Sequence, residues 1–311
     1  MQGRKVMRVR HVLMTTAALL ATVAAGIHAQ APGGGQRSPA ERMAAAQAER
    51  EKMMAMERPI DAVDSVWLEE LTWLEVRDAM KAGKTTIIIP TGGMEQNGPF
   101  LATGKHNYVN RAGCEAIARK LGNALCGPNV AFVPEGNFEP PTGALMYPGS
   151  IGVSDTTFRA LLTDIAESFR VTGFSNVILL GDSGGNQRGM KQVAADLTPK
   201  WASTKSRIHY IATYYDDFNQ VIAYAEKTFG WKQVPDGSHD DALITAIMMT
   251  VSPDHVRMKQ RIAKGKTATN SIPLVPVEKA VEVGRQIVNF RADITVAAIK
   301  KAIAESAPAA Q

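Results

Sequence analysis

The fold of this chain is decided by residues 176–186, which read Asn-Val-Ile-Leu-Leu-Gly-Asp-Ser-Gly-Gly-Asn. The apolar start is typical of a buried strand, and the glycine-rich turn after it leads into a segment with helical spacing. The five residues from Gly181 to Gly185 also match the nucleophile loop of trypsin-like proteases, but that fold is all-β. The order of strand, turn and helix instead predicts an open α/β sheet, in which ligands bind at the carboxyl ends of strands. Asp182 stands at such an end.

Helical and strand patterns alternate from Val66 onward. Strands are predicted at 85–91, 130–133, 177–180 and 207–213, and helices at 68–82, 108–121, 158–171, 185–197, 218–229, 242–251 and 277–304. Strands separated by helices imply a mostly parallel sheet with helices on both faces. Residues 61–311 show no convincing internal boundary, so they are predicted to form one α/β domain.

The first 29 residues have the pattern of a secretory signal peptide, with basic residues at 4–10, an apolar run at 12–26 and small residues near position 29. The apolar run is shorter than the roughly 20 residues that a membrane-spanning helix needs. We therefore expect a secreted or periplasmic protein with no membrane span after cleavage. Residues 30–60 are predicted to be a linker and a helical arm beginning at Ser38. The methionines of this arm suit either a partner contact or ordinary packing.

The charge balance argues against a nucleic-acid partner. The first 29 residues hold four of the 35 Lys and Arg and none of the 30 Asp and Glu, so the rest carries 31 basic and 30 acidic residues. Such a chain has no electrostatic reason to bind nucleic acid or an anionic membrane. The two cysteines, Cys114 and Cys126, suit either one disulfide in an oxidising compartment or two buried thiols.

A second predicted strand end carries further polar side chains. Glu95 follows the run at 85–91, and His106 comes eleven residues later. If the strands are parallel, Glu95 lies at the same edge of the sheet as Asp182. One nitrogen and two oxygen ligands would suit a zinc-like or manganese-like ion. Taken singly, the three residues also suit plain roles as a turn acid, a hydrogen bonder at a helix start and a helix cap.

Several blocks of residues 66–300 resemble the creatininase (creatinine amidohydrolase) family. The blocks are Glu95-Gln96-Asn97-Gly98-Pro99, His106, Tyr147-Pro148-Gly149-Ser150-Ile151, Gly181-Asp182-Ser183-Gly184-Gly185-Asn186 and His239-Asp240-Asp241-Ala242. The resemblance implies a three-layer α/β/α sandwich, hydrolysis of a non-peptide amide in a small and cyclic compound, and assembly into homo-oligomers such as hexamers.

The departures from the family pattern change the expected metal site. The family holds two metals bridged by an Asp, where this chain has His106, and a neutral imidazole binds one metal only. Asn97 stands where the family has a His, and Gly184 or Ala242 stands where it has an acid. The resemblance then implies one divalent ion, zinc or manganese, held by Glu95, His106 and Asp182.

His239 occupies the position where the family places a general acid or base, and flanking acids are expected to favour its protonated form. It also suits a plain role in a polar helix start. By the same resemblance we expect six more residues to contact substrate or support the ligands: Asn97, Ser183, Gly184, Tyr147, Asp240 and Asp241. A metal-activated water would attack the substrate carbonyl, and His239 would protonate the leaving nitrogen.

Two other classes of function fit the same residues. A paralogue that binds a ligand without hydrolysing it could keep the fold after losing the second metal. A serine hydrolase using Ser183 is the third reading, although the sequence identifies no acid that would orient His239 as its base.

Overall fold

The computed structural model of the chain describes residues 38–234 and 239–306. The predicted signal peptide and the start of the linker lie outside these residues. The chain divides into two compact units, with the boundary between Glu57 and Arg58. In the described ranges, no helix combines the length and apolar character required to cross a membrane.

The first unit contributes helix α1 (Pro39–Ala55). It begins as predicted, because the Ser38 side chain accepts from the backbone N–H of Glu41 and the Glu41 side chain accepts from the backbone N–H of Ser38. This capping box satisfies two backbone donors that a helix start leaves unpaired. None of the residues of α1 is buried.

The second unit is built on a four-stranded parallel sheet in the order β2-β1-β3-β4. The strands are β1 (Thr86–Thr91), β2 (Ala124–Cys126), β3 (Asn176–Gly181) and β4 (Arg207–Tyr210). The central strands β1 and β3 are paired from Thr86 with Asn176 to Thr91 with Gly181. Both strands read as nearly continuous apolar runs because helices cover both faces of the sheet.

Helices on the two faces make the predicted three-layer α/β/α sandwich. One face packs against α4 (Asp155–Thr172) and α5 (Gly184–Lys200), and the other against α3 (Lys105–Leu121) and α10 (Val277–Ser306). An additional apolar core lies between α3, α10, α7 (Phe218–Phe229) and α8 (Ala242–Val251). The remaining elements are α2 (Trp73–Lys81), α6 (Thr213–Asp216), α9 (Met258–Ala263) and an antiparallel pair, β5 (Ala268–Thr269) and β6 (Ile272–Pro273).

The structure corrects three predicted elements. The edge strand is β2, whereas Val130 and Val133, predicted as a strand, form only isolated bridges. The helix predicted at 68–82 is split into a short 3₁₀ turn and α2, because Thr72 forms a capping box with Glu75 and starts a new helix. Strand β4 ends at Tyr210, where the predicted run extended to residue 213.

The two cysteines are joined by a disulfide. Cys114 on α3 is bonded to Cys126 at the end of β2, and both residues are fully buried. Of the two readings that the sequence left open, the bridge is the one found. It ties the edge strand to the helix that carries His106.

Candidate active site

The parallel sheet brings the three predicted ligand residues together at the carboxyl ends of β1 and β3. Asp182 directly follows β3, Glu95 follows β1 by four residues, and His106 is the second residue of α3. Nε2 of His106 lies 2.6 Å from Oε1 of Glu95, and Nδ1 lies 2.7 Å from Oδ2 of Asp182. All three side chains are buried. They form a hydrogen-bonded chain of carboxylate, imidazole and carboxylate.

The two carboxylates favour a charged His106. Burial lowers the pKa of His106, but its hydrogen bonds to Asp182 and Glu95 outweigh burial and raise that pKa above the ordinary value. Burial likewise opposes ionisation of Glu95, yet the His106 hydrogen bond and nearby cations lower the pKa of Glu95 to about 2. In this state both ring N–H groups of His106 donate to carboxylate oxygens.

Two further cations complete the buried cluster. Nη2 of Arg291 lies 2.7 Å from Oδ1 of Asp182, and Nζ of Lys105 lies 3.4 Å from Oε1 of Glu95. Against the desolvation that raises it, the charges of Arg291 and His106 hold the pKa of Asp182 below its usual range. Asp182 therefore has His106 at one oxygen and Arg291 at the other, whereas His106 and Lys105 both lie beside Oε1 of Glu95.

Arg291 is held firmly by the fold. Its Nε and Nη2 donate to the backbone carbonyl of Tyr214, and its guanidinium stacks 3.7 Å from the centroid of the Tyr214 ring. Helix α10 approaches α8 closely at Gly284, where an added Cβ would lie 2.2 Å from the carbonyl oxygen of Ala246. This close packing of helices places Arg291 beneath the strand ends, with only 3% of its surface exposed.

A cavity of about 920 Å³ lies beside the cluster and is large enough for a small organic molecule. His239 lines it, with Nδ1 at 3.4 Å from Oε1 of Glu95 and Nε2 at 3.5 Å from Nζ of Lys105. Other lining residues are Glu95, Lys105, His106, Asp182, Ser183, Gly184, Tyr215, Asp216, Phe218, Asn219, Ile222, Gln233, Asp240, Asp241, Ile244 and Arg291. The charged cluster is thus accessible to a ligand from this side.

The structure corrects the expected charge of His239. We expected the flanking acids to favour its protonated form. Instead, burial and the nearby charge of Lys105 lower its pKa below the ordinary value, and these effects exceed the opposing influence of Glu95. The imidazole is therefore neutral near pH 7, which is the form that can accept a proton.

A second cavity of about 810 Å³ reaches Glu95 from another side and is lined by Glu135. Burial and the neighbouring charge of Glu95 raise the pKa of Glu135 to about 8. Gly93 makes room for this carboxyl group, because a Cβ at Gly93 would lie 2.3 Å from Oε1 of Glu135. Glu95 therefore lies between two cavities.

The other predicted site residues divide into two groups. Ser183, Gly184, Asp240 and Asp241 line the larger cavity, and burial raises the pKa of Asp241, the N-cap of α8, to about 6. Asn97 and Tyr147 line neither cavity.

Asn97 and Tyr147 have different surroundings. Asn97 is buried and donates to the carbonyl of Glu95, so it fixes the loop that carries that carboxylate. Tyr147 is half exposed in a surface loop.

Three residues of the site were missed by the sequence reasoning. Lys105 directly precedes His106, so its position alone was a signal. Arg291 lies in the same helical stripe as buried Ile287 and Val288, and an arginine among apolar positions indicates a buried ion pair. Glu135 follows the run at 130–133, so the reasoning applied to Glu95 and Asp182 would have found it.

Comparison with known proteins gives a family match across most of the chain. The family model described as creatininase, creatinine amidohydrolase, matches residues 69–305. A creatinine amidohydrolase from Pseudomonas putida is 22% identical over 224 residues, which cover 70% of this chain and 83% of that protein. A 3-dehydro-scyllo-inosose hydrolase from Thermotoga maritima is 30% identical over 129 residues, covering 42% of this chain and 38% of that protein.

Solved structures support the same fold. A crystal structure of creatinine amidohydrolase superposes with a TM-score of 0.55 at 18% identity, covering 80% of this chain and all of that chain. Two others are titled with metals: a mutant creatininase of Zn-Zn type, with a TM-score of 0.54 at 20% identity, and "Creatininase Mn", with a TM-score of 0.55 at 19% identity. Each of these two matches covers 79% of this chain and the whole of the solved chain.

In the arrangement found, the three residues predicted to hold one divalent ion do not fit that ion. A histidine ligates a metal through a ring nitrogen that carries no proton, and both ring nitrogens of His106 are hydrogen-bonded to carboxylates. Asp182 and Glu95 are already paired with Arg291 and Lys105. In the described ranges, no group of three or more His, Cys, Asp or Glu side chains is arranged to hold a metal ion.

Proposed function

Because this chain belongs to the creatininase family, whose homologues are amidohydrolases, we propose that it hydrolyses a carbon–nitrogen amide bond in a small, cyclic compound. The observation that carries the proposal is the position of His239, which lines the larger cavity between Glu95 and Lys105. Residues of the chain itself are proposed to carry out each step, since those residues do not fit a divalent ion.

His239 is proposed to move the proton. As a neutral imidazole it can take a proton from water while the water oxygen bonds to the substrate carbonyl carbon. His239 then gives that proton to the amide nitrogen of the substrate as the carbon–nitrogen bond of the substrate breaks. Oε1 of Glu95 and the carbonyl oxygen of Gln96 each lie 3.4 Å from Nδ1 of His239. These oxygens orient the imidazole and stabilise its charge after it accepts the proton.

Lys105 is proposed to stabilise the negative charge that develops on the substrate carbonyl oxygen. Its ammonium group is buried beside His239 and lines the same cavity. A fixed cation in a site of low water content acts more strongly on a developing oxyanion than it would in water. Tyr215, Phe218 and Ile222 supply apolar surface for the rest of a ring-shaped substrate.

The test is an assay of the purified full chain against creatinine, hydantoin, dihydrouracil and a lactam, with the opened product detected by mass spectrometry. We expect hydrolysis of at least one compound. His239→Gln should lower kcat/KM by about 100-fold or more, because it removes the proton-transferring group.

His255→Gln is the matched control. His255 stacks on Tyr108, 3.7 Å between ring centroids, and does not line the larger cavity. Its substitution should leave kcat/KM within about twofold of wild type. Full activity in His239→Gln would contradict the mechanism. Saturable binding of these compounds without turnover would favour the ligand-binding paralogue instead.

We propose in addition that the chain acts outside the cytoplasm. The basic and apolar pattern of residues 1–29 supports export, and the Cys114–Cys126 disulfide suits an oxidising compartment. Fractionation of expressing cells followed by N-terminal sequencing should find the chain in the exported fraction, beginning near residue 30. A cytoplasmic chain that retains Met1 would contradict this proposal.

A further inference from the structure

The buried charged cluster at the carboxyl ends of β1 and β3, called the centre below, takes its positive charge from side chains. Five buried groups form it: the carboxylates of Glu95 and Asp182, the imidazole of His106, the ammonium of Lys105 and the guanidinium of Arg291. The two negative charges are matched by two cations even before His106 is counted. A divalent ion added to this cluster would therefore meet repulsion rather than unpaired carboxylates.

The geometry also leaves few donors for a metal. One oxygen of Asp182 accepts from His106 and the other pairs with Arg291 at 2.7 Å. Oε1 of Glu95 accepts from His106 at 2.6 Å and lies 3.4 Å from both Lys105 and His239. For a metal to bind both oxygens of Asp182, Arg291 would have to leave this carboxylate, and it would then be an unpaired charge in the interior.

The placement of Arg291 is built into the helices and sheet. Its Nε and Nη2 bonds to the Tyr214 carbonyl, its stacking on Tyr214 and its position 5.1 Å from the centroid of Phe218 fix the guanidinium independently of Asp182. A side chain fixed on three sides does not swing away to admit an ion at low cost.

We propose that this centre works without a divalent metal, with Arg291 and Lys105 supplying the positive charge that metals supply in the relatives titled with zinc and manganese. The inference concerns metal binding alone. Its test is therefore independent of whether the proposed hydrolysis occurs.

The experiment measures metal content and metal binding on the full chain. Protein purified without chelator is analysed by elemental mass spectrometry, then titrated with ZnCl₂ and MnCl₂ by calorimetry and melted with and without EDTA. We expect less than about 0.1 metal ion per chain, no saturable heat and an unchanged Tm. About one or more ions per chain, lost with EDTA together with a fall in Tm, would overturn the proposal.

Variants test whether the two cations are what excludes the metal. The double substitution of Lys105→Met with Arg291→Met removes both charges, and the two carboxylates then keep His106 as their shared partner. We expect this variant to bind zinc at least about tenfold more tightly than wild type. Zinc binding no tighter than wild type in the folded double variant would overturn the role given to the cations.

Arg261→Met is the matched control. Arg261 is as deeply buried as Arg291, donates to the backbone carbonyls of Lys266 and Ala268, and stacks 4.4 Å from the centroid of Phe100. It has no ion pair with Glu95 or Asp182. Its loss should lower Tm without any gain in zinc binding. If the double variant does not fold, the single Lys105→Met variant is titrated in its place, with the same expected direction.

Discussion

The two carboxylates that hold His106 differ in what surrounds them. Asp182 is paired with Arg291 on its other oxygen, and Arg291 is in turn fixed by the Tyr214 carbonyl. Glu95 lies between two cavities and close to Lys105, His239 and Glu135. His106 thus joins two ends of the cluster. We call the side of Asp182 and Arg291 the structural end, and the side of Glu95 the reactive end.

This difference indicates that a buried charge can either fix a neighbouring side chain in position or face a cavity where a ligand binds. At the Asp182 end both carboxylate oxygens are paired with buried protein groups, so these ion pairs fix the position of His106. At the Glu95 end the partners line cavities that a ligand can enter. Substitutions at the two ends should therefore affect different measurements, and that contrast can be tested directly.

Glu95→Gln should have the largest effect on activity. The substitution removes the charge that orients His239 and stabilises its protonated form, so kcat/KM should fall by about 100-fold to 10,000-fold on any compound that the wild type hydrolyses. Circular dichroism of the variant checks that the fold is kept. A rate within tenfold of wild type would show that Glu95 is not part of the reactive end.

Asp182→Asn should affect stability most. It leaves the buried guanidinium of Arg291 without its carboxylate, and breaking a buried ion pair from one side costs about 3 to 5 kcal/mol in the free energy of unfolding. Urea unfolding of the variant beside wild type measures this loss. Asp196→Asn, a change in an acid exposed on α5, is the control and should cost less than about 0.5 kcal/mol. A similarly small loss of unfolding free energy in both variants would contradict the structural role given to Asp182.

Glu135→Gln should change how stability depends on pH. The pKa of Glu135 is raised to about 8 from the ordinary 4.5, so the folded chain holds a proton that the unfolded chain releases. The stability contributed by this protonated carboxyl is complete below about pH 4.5 and is lost as pH rises through about 8. A glutamine at position 135 stays neutral, so the variant does not lose this stability as the pH rises.

Urea unfolding at several pH values measures that contribution. Across the window from about pH 4.5 to 8, the wild type should lose about 2 to 4 kcal/mol relative to Glu135→Gln. Parallel pH profiles for the two proteins would contradict the raised pKa of Glu135.

The sequence predicted the parts of the site that follow from strand ends. Glu95 and Asp182 come after apolar runs, and parallel pairing brings the ends of such runs to one edge. The paired partner of β1 was not predictable in the same way. Residues 130–133 and β2 (Ala124–Cys126) are both short apolar runs, and only β2, which shares a core with α3, pairs along its length with β1.

The role of Arg291 could not be derived from local pattern. It lies 109 positions after Asp182 in the sequence, and nothing in the helix that carries it names its partner. The helix packs against the strand ends because Gly284 lets α10 approach α8, which is a property of the whole fold. The three predicted ligand residues were visible in the sequence, but the ion pair of Asp182 with Arg291 was not.

The smallest expected effect is at Tyr147, which the family resemblance placed at the substrate. Its side chain is half exposed and lines neither the cavity of His239 nor that of Glu135. Tyr147→Ala should change kcat/KM by less than about twofold and the free energy of unfolding by less than about 0.5 kcal/mol. Phe218→Ala, which shortens a wall of the larger cavity and removes an aromatic neighbour of Arg291, should raise KM more. If Tyr147→Ala impairs activity as strongly as Phe218→Ala does, the loop at 143–151 contributes to catalysis. The reactive end would then extend beyond the residues that surround Glu95 within one chain.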